Sequence, residues 1–472
     1  MRSVFTRGLW GPALALVVLA LLAPASAGAA RPLTLGFTDT TFAGPGGVPW
    51  LERSAAAGAD MVRIDVGWPA TDSAARPTGF DPRNPADPHY DFGAADAAIK
   101  AATADGLGVL VVVGGAPRWA EGPHRPASAP AGSWRPDPRA IGDYAIALAK
   151  RYSGHFPDPA APARALPRVA AFQVWNEPNL SLYLSPQWSG GRAVAPVLYR
   201  RMLNAFYRGV KSVDSRALVV AAGTGPFGDP PGGQRIPPVI FWRDVLCLGQ
   251  SGSAVRAAPC PDPAHFDVFA HHPYSVGPPT TSALDPDDVS IPDLGKLTGL
   301  LHAAERFGTV LPREPHPLWI TEVSYDSNPP DPNGVPIAEH ARWLEQALAE
   351  LWREGAQAIF WNQVGDQPPI PNYGSTAQSG VYYLDGAPKP ALTAFRFPLV
   401  AWRLGRAALE VWGRAPASGR LTIEELQGTR WQSVRTFRVR ASATFVTRLA
   451  TSSRVYLRAK VGGATSLVWR AG

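Results

Sequence analysis

Short runs of apolar residues recur along the chain, and within most of them the hydrophobic residues are consecutive rather than alternating. Consecutive apolar residues are typical of parallel strands that are covered on both faces. Segments with helical spacing of apolar residues separate the runs. The pattern predicts strands at residues 33–37, 61–66, 109–113, 172–177, 218–222, 266–270, 318–322 and 358–361.

This alternation of strands and helices, at about 45 residues per unit, predicts an α/β protein with a (β/α)8 TIM barrel. We place the barrel at residues 31–398. The alternative is an open doubly wound sheet, but no glycine-rich dinucleotide turn follows any of the runs.

The segment after the barrel has a different pattern, in which glycines separate short β-rich runs at residues 434–439, 444–449 and 455–461. Runs of this kind are typical of antiparallel sheets. We therefore predict a small all-β, sandwich-like C-terminal domain at residues 405–472.

The N-terminus has the three parts of a secretory signal peptide. Arg2 and Arg7 form the charged part, residues 14–22 the apolar part, and residues 25–29 contain small residues suited to cleavage. A retained membrane anchor is the alternative, but the apolar part is short for a span of about 20 residues. We expect a signal peptide over residues 1–29, cleavage near residues 27–30, and a secreted, extracellular protein with no membrane span.

The formal net charge of +7 is unevenly distributed. From residue 401 onward, 13 Arg and Lys stand against 3 Glu, a net charge of +10, and the two signal arginines add +2, so residues 31–400 carry −5. No nucleic-acid-binding module accompanies the positive charge, and we expect no nucleic-acid partner. The basic C-terminal residues fit either a solvated surface or contact with an acidic polymer or the cell wall.

The chain contains two cysteines, Cys247 and Cys260. Export makes a disulfide between them plausible, and two free thiols are the alternative. Their spacing to the histidines does not match a zinc site, and no metal or cofactor is expected.

Two of the predicted strands end in a glutamate. Glu177 follows an apolar run within Asn176-Glu177-Pro178, and Glu322 stands in the matching place after the seventh run. The first motif alone could be a turn with a solvated carboxylate. In a barrel, however, the carboxyl ends of all strands meet at one mouth, and two carboxylates there suit glycoside cleavage.

On these residues the chain resembles the clan A retaining glycoside hydrolases, closest to the family 39-type (β-xylosidase or polysaccharide endoglycosidase-like) group. The resemblance implies that Glu177 is the acid/base and Glu322 the nucleophile, with carboxyl groups about 5–5.5 Å apart. It also implies that Arg63 lies beside the nucleophile, although a structural ion pair with Asp65 is an alternative. Asn176 would then bond the sugar 2-hydroxyl.

The same resemblance assigns further substrate-binding residues. In His271-His272-Pro273-Tyr274, His272 and Tyr274 match a His-x-Tyr motif whose tyrosine bonds to the nucleophile. Trp119 matches an Ala-Pro-x-Trp segment after strand three. Trp361 would form the floor of the sugar site by stacking, or else be a core tryptophan. The sequence Val323-Ser324 after the nucleophile departs from the β-xylosidase pattern, so the sugar stays open.

We therefore predict a secreted retaining glycoside hydrolase that cleaves O-glycosidic bonds of a β-linked poly- or oligosaccharide by double displacement. The alternative is a catalytically inactive glycan-binding or cell-surface barrel protein. The sugar, the linkage and endo or exo attack are not determined by the residues.

Overall fold

The structure is a computed structural model that describes residues 30–251 and 254–471. The predicted signal peptide lies outside the described residues. Across the described ranges, no helix combines the length and the hydropathy that a membrane crossing requires.

Eight parallel strands form the central sheet of the molecule, in the spatial order β6-β7-β8-β1-β2-β3-β4-β5. Backbone bridges from Val220 to Val268 and from Thr224 to His271 join β5 to the β6 segment and close the barrel. The strands are β1 Thr34–Thr38, β2 Met61–Asp65, β3 Gly108–Val113, β4 Ala171–Val174, β5 Leu218–Val220, β6 Phe269–His271, β7 Leu318–Val323 and β8 Ala356–Asn362. The predicted TIM barrel is confirmed, with β6 a few residues later than expected.

Helices connect the strands on the outside of the barrel. They are α1 Val48–Ala56, α2 Gly93–Ala104, α3 Pro138–Arg151, α4 Ala195–Val213, α5 Pro238–Val245, α6 Leu294–Phe307, α7 Ile337–Arg353 and α8 Pro390–Arg396. Each packs an apolar stripe on the sheet, because a helix of this kind must bury that stripe to be stable.

The strands of the barrel divide their side chains between two cores. Leu110, Val112, Ala358 and Phe360 belong to the cluster inside the barrel. Their neighbours in sequence, such as Ile359, belong to the larger cluster between sheet and helices. Successive residues of a strand point to opposite faces, and this alternation decides which residues reach the mouth of the barrel.

The C-terminal residues form two antiparallel sheets, as predicted. The first has the order β9-β10-β13, and the second has the order β12-β11-β14-β15, with β16 also paired to β14. Their apolar faces share one core. The strands are β9 Leu399–Leu404, β10 Ala408–Arg414, β11 Gly419–Gln427, β12 Arg430–Val439, β13 Thr444–Ala450, β14 Val455–Val461, β15 Ala464–Thr465 and β16 Trp469–Ala471. The strand β9 therefore begins before residue 405, where the sequence placed the start of this domain.

This β domain packs against the amino-terminal end of the barrel, opposite the mouth. The buried Arg414 donates to Asp60, which immediately precedes β2, at 2.6 and 2.8 Å. Trp412 packs on Trp352 of α7, with ring centroids 6.0 Å apart. The basic domain is therefore remote from the carboxyl ends of the strands.

The predicted disulfide between Cys247 and Cys260 is present, with Cα atoms 5.6 Å apart. It closes a loop between α5 and β6 that contains the short strands Leu248–Ser251 and Ala254–Ala257. The bridge therefore pins a connection on the barrel's outside.

Candidate active site

The nucleophile candidate Glu322 lies near the end of β7 and is held by two donors. Arg63 of β2 donates from Nη1 to Oε1 at 2.7 Å, and Tyr274 donates its hydroxyl to Oε2 at 3.0 Å. Asn362, the last residue of β8, donates to the same tyrosine oxygen at 3.0 Å. Both carboxylate oxygens are thus engaged, which fixes the orientation of the carboxylate.

The surroundings of Glu322 favour its ionised form. Burial alone would raise its pKa, but attraction to His272 and Arg63, with hydrogen bonds from Tyr274 and Arg63, holds the pKa below its usual value. Burial and the charges of Glu322 and Glu177 raise the pKa of Tyr274 well above its usual value. Tyr274 therefore keeps its proton and remains a donor.

The acid/base candidate Glu177 has a different set of contacts. Its Oε1 lies 3.0 Å from His272 Nδ1, while the other ring nitrogen of His272 lies 2.9 Å from the Thr321 hydroxyl. The same Nδ1 lies 3.7 Å from Glu322. One oxygen of each glutamate and a nitrogen of His272 all lie within 4.8 Å of one another. Arg63 donates to Glu322 and to no atom of Glu177.

Arg63 links three strand ends through its guanidinium. Besides Glu322, it donates to the Thr38 hydroxyl at 2.9 Å and to Asn176 Oδ1 at 2.8 Å. Its contact to Asp65 is longer, at 3.8 Å, and Asp65 is 43% exposed. The short contacts favour a role beside Glu322 over the alternative of a purely structural pair with Asp65.

The backbone around Glu177 adopts an unusual conformation. Glu177 has φ 36° and Trp175 has φ 72°, both in the region that non-glycine residues seldom occupy. The Glu177 amide donates to the Gly223 carbonyl at 3.0 Å, and the Trp175 amide donates to Val113 at 2.7 Å. Neighbouring strands thus hold the conformation that directs Glu177 toward the mouth.

A glycine at the end of β5 makes room for His272. A Cβ atom at Gly223 would lie 2.2 Å from His272 Nε2 and 2.8 Å from the Thr321 hydroxyl. Contacts this short do not occur between real atoms, so the buried imidazole requires glycine at this position.

The structure changes the interpretation of Trp361. The side chain is 0% exposed, its indole N–H donates to Ser379 O at 2.8 Å, and its ring lies 6.0 Å from His340. It faces the helices because Phe360 faces the interior. The prediction that Trp361 stacks on a sugar is therefore wrong, and Asn362 is the β8 residue in the mouth.

Trp119 lies in the loop after β3, where it packs on other aromatic rings. Its ring is 5.9 Å from Trp68 and 5.5 Å from Phe80, and its indole N–H donates to Thr71 O at 3.1 Å. Its binding role stays a prediction.

Two residues of the site, Asn362 and Tyr183, were not assigned to it from the sequence. Tyr183 could have been found from its place in the loop after Glu177, whereas Asn362 depends on the phase of β8, which only the packing of the strand decides. Burial and the charges of Glu177 and Glu322 raise the pKa of Tyr183 to about 12, and its hydroxyl is hydrogen-bonded to Asn176.

The two neighbouring histidines have different environments. His271 is fully buried and lies 2.9 Å from both the Thr224 hydroxyl and the Val289 carbonyl, and burial lowers its pKa to about 3. It is a neutral structural residue. One nitrogen of His272 and one oxygen of each glutamate lie close enough together to be metal ligands. Arg63, however, already places a positive charge beside Glu322.

No protein-family model matches the chain, and no curated protein matches it in sequence. The fold is a TIM barrel of the kind found in glycoside hydrolases. A family 39 glycoside hydrolase from the gut symbiont Bacteroides cellulosilyticus WH2 is similar at a TM-score of 0.53 and 17% identity, over 89% of this chain and 81% of that chain. A glucosidase from Croceicoccus marinus is similar at 0.51 and 14% identity, over 93% and 98%. At these identities the likeness confirms the predicted resemblance for the fold alone.

Proposed function

We propose that the protein is a retaining glycoside hydrolase that cleaves a β-linked poly- or oligosaccharide by double displacement. The observation that carries the proposal is the asymmetry of the glutamate pair. One oxygen of Glu177 lies within 4.8 Å of one oxygen of Glu322, yet of the two glutamates only Glu322 accepts a hydrogen bond from the Arg63 guanidinium. Oxygens this close are compatible with the about 5–5.5 Å between the carboxyl groups of a retaining pair.

In the proposed first step, Glu322 attacks the anomeric carbon while Glu177 gives its proton to the leaving-group oxygen. A glycosyl ester on Glu322 results. In the second step, Glu177 takes a proton from water, the water oxygen bonds to the anomeric carbon, and Glu322 leaves as a carboxylate. Arg63 and Tyr274 stabilise the Glu322 carboxylate before the first step and again when it is released in the second.

Asn176 is proposed to bond the sugar 2-hydroxyl. Its Oδ1 accepts from Arg63 at 2.8 Å, so the amide is held in one orientation beside Glu177. The intact pair of glutamates also favours turnover over the alternative of an inactive glycan-binding barrel, in which neither carboxylate would be required.

Export is proposed from the N-terminal signal pattern, and the disulfide between Cys247 and Cys260 is in keeping with an oxidising compartment. Contact of the basic C-terminal domain with an acidic polymer or the cell wall remains part of the proposal. That domain lies opposite the mouth, so such contact would leave the cleft open.

The roles of the glutamates are tested with Glu322→Ala and Glu177→Ala on a panel of aryl glycosides. Glu322→Ala should abolish turnover, since no glycosyl-enzyme can form. Glu177→Ala should still react with an activated aryl glycoside, because that leaving group needs no proton, and azide should then restore turnover. The expected product is the β-glycosyl azide. Inversion at the anomeric carbon, or azide rescue of Glu322→Ala alone, would contradict the assignment.

A further inference from the structure

A third carboxylate lies in the mouth of the barrel, beside the two glutamates. Asp65 is the last residue of β2, and side chains alternate along a strand, so Arg63 and Asp65 point to the same side. Ile64, between them, belongs to the core between sheet and helices, so both charged residues face the interior of the barrel. Asp65 Oδ1 lies 3.8 Å from Arg63 Nη1, the nitrogen that donates to Glu322 at 2.7 Å. Asp65 and Glu322 are therefore neighbours on one guanidinium group.

The carboxylate of Asp65 is accessible and has room for a ligand. Its side chain is 43% exposed, whereas that of Glu322 is 17% exposed. Beyond the 3.8 Å contact with Arg63, it accepts no hydrogen bond from any residue that the structure describes. A carboxylate has about four acceptor positions, so Asp65 can accept from a bound molecule. Neither step of the proposed reaction uses it.

The positive charge of Arg63 is not available to a ligand. Arg63 is 2% exposed, and its guanidinium already donates to Glu322 and Asn176. Within the described part of the chain, no other arginine or lysine lies within 4.0 Å of the carboxyl group of Asp65 or Glu322. The imidazole of His272, 3.7 Å from Glu322, is fully buried. A molecule in the mouth therefore meets two carboxylates and no accessible cation beside them.

Such a surface binds hydroxyl groups and repels anions. The hydroxyls of a neutral sugar donate to Asp65, whereas a sugar acid brings a carboxylate whose repulsion by Asp65 and Glu322 nothing offsets. We infer that Asp65 is a specificity-determining residue, which accepts a hydroxyl of the sugar transferred to Glu322 and whose charge excludes uronic acids from that place. The sugar that forms the ester with Glu322 therefore carries no carboxylate.

The inference rests on the proposed function, and its test compares pairs of aryl β-glycosides that differ only at C6. Nitrophenyl β-glucoside is paired with the β-glucuronide, and the β-galactoside with the β-galacturonide. The wild type should favour the neutral member by about tenfold or more in kcat/KM, since a single uncompensated charge has an effect of this size. Asp65→Asn keeps the shape and removes the charge, so it should reduce the preference about tenfold. Asp105→Asn, at the exposed C-terminal end of α2, is the matched control and should leave the preference unchanged.

A role of Asp65 that acts only through Arg63 would change kcat/KM equally for both members of a pair. An unchanged preference in Asp65→Asn therefore overturns the inference, and so does a wild-type enzyme that favours the uronide. In both cases the glycosides are turned over, so the proposed function stands.

If no glycoside is turned over, the proposed function fails, and calorimetric titration of the corresponding aryl thioglycosides decides the inference. A Kd about tenfold weaker for the thioglucuronide than for the thioglucoside in the wild type, and similar values in Asp65→Asn, support it. Equal Kd values in the wild type overturn it.

Should Asp65→Asn not fold, the wild-type enzyme still decides. Salt screens the repulsion between charges, because the Debye length falls from about 30 Å at roughly 0.01 M ionic strength to about 3 Å at roughly 1 M. A preference that comes from charge should therefore narrow as the ionic strength rises, whereas one that comes from the size of the C6 group should not. A preference that salt leaves unchanged overturns the inference.

Discussion

At the scale of single residues, the chemistry depends on how neighbours divide their hydrogen bonds between two like carboxylates. Glu322 accepts hydrogen bonds from Arg63 and Tyr274, while Glu177 is within hydrogen-bond distance of the His272 ring. A carboxylate that accepts two strong donors is stabilised as an anion, as the lowered pKa of Glu322 shows. The same residue type thus takes two roles through its surroundings.

Tyr274→Phe tests this division directly. It removes one donor from Glu322, so we expect kcat/KM to fall about 100-fold. It should also raise the pKa of Glu322. Because that pKa is below its usual value in the wild type and the anion is the reactive form, the acid limb of kcat/KM should move to higher pH. The control is Tyr456→Phe on the exposed face of β14. An unchanged acid limb would contradict the role of Tyr274.

At the scale of secondary-structure elements, irregular strand ends place the site residues. Ile320 and Val323 of β7 pair with Ile359 and Trp361 of β8, so β7 has one more residue than β8 in this stretch. This is a β-bulge. Thr321 and Glu322, consecutive in the bulge, therefore both contact His272, although a regular strand would direct them to opposite faces.

Gly223→Ala tests the close approach at the end of β5. The new methyl group would overlap the His272 ring, which must move away from Glu177 and Thr321. We expect kcat/KM on an aryl glycoside to fall by about tenfold or more, since loss of a positioned group has effects of this size. Gly299→Ala in α6 is the control, because the added carbon meets no atom within 4 Å beyond its chain neighbours and the backbone of its own helix. Equal activity of both variants would refute the positioning role of Gly223.

At the scale of the whole molecule, the β domain completes the lower surface of the barrel. Glu345 of α7 is fully buried beneath β9, with Oε1 unpaired and Oε2 accepting from the Leu399 amide at 3.5 Å. Burial raises its pKa to about 8, despite the Leu399 hydrogen bond and the charge of Arg342. The junction between the domains therefore contains a carboxyl group that is neutral in the folded protein near pH 7.

This carboxyl group makes stability depend on pH. Unfolding restores its ordinary pKa of 4.5, so its contribution is fully present below pH 4.5 and is lost as pH rises toward 8. Glu345→Gln lacks this titration. Between pH 4.5 and 8, its free energy of unfolding should therefore rise relative to that of the wild type by up to about 1.4 kcal/mol per pH unit. Thermal melts across the range measure it, with Glu339→Gln on the exposed face of α7 as control. Parallel curves for wild type and Glu345→Gln would exclude the effect.

Much of the candidate site follows from local sequence patterns. Apolar runs that end in a glutamate predicted strands β4 and β7 and both carboxylates, and the order of elements predicted the barrel. Trp361 shows the limit of such reasoning. Its position at the end of β8 was recognised, but the phase of the strand, which turns Trp361 outward and Asn362 inward, depends on how β8 pairs and packs.

The sequence alone determined the strand and helix pattern, the two glutamates and the change to antiparallel strands near the C-terminus, because these depend on residue type and short-range spacing. Only the tertiary structure decided which side chains meet in the mouth. The contact of Arg63 with Glu322 joins residues 259 positions apart. The bulge in β7 and the space at Gly223 likewise arise from segments that are distant in the chain, so no local pattern encodes them.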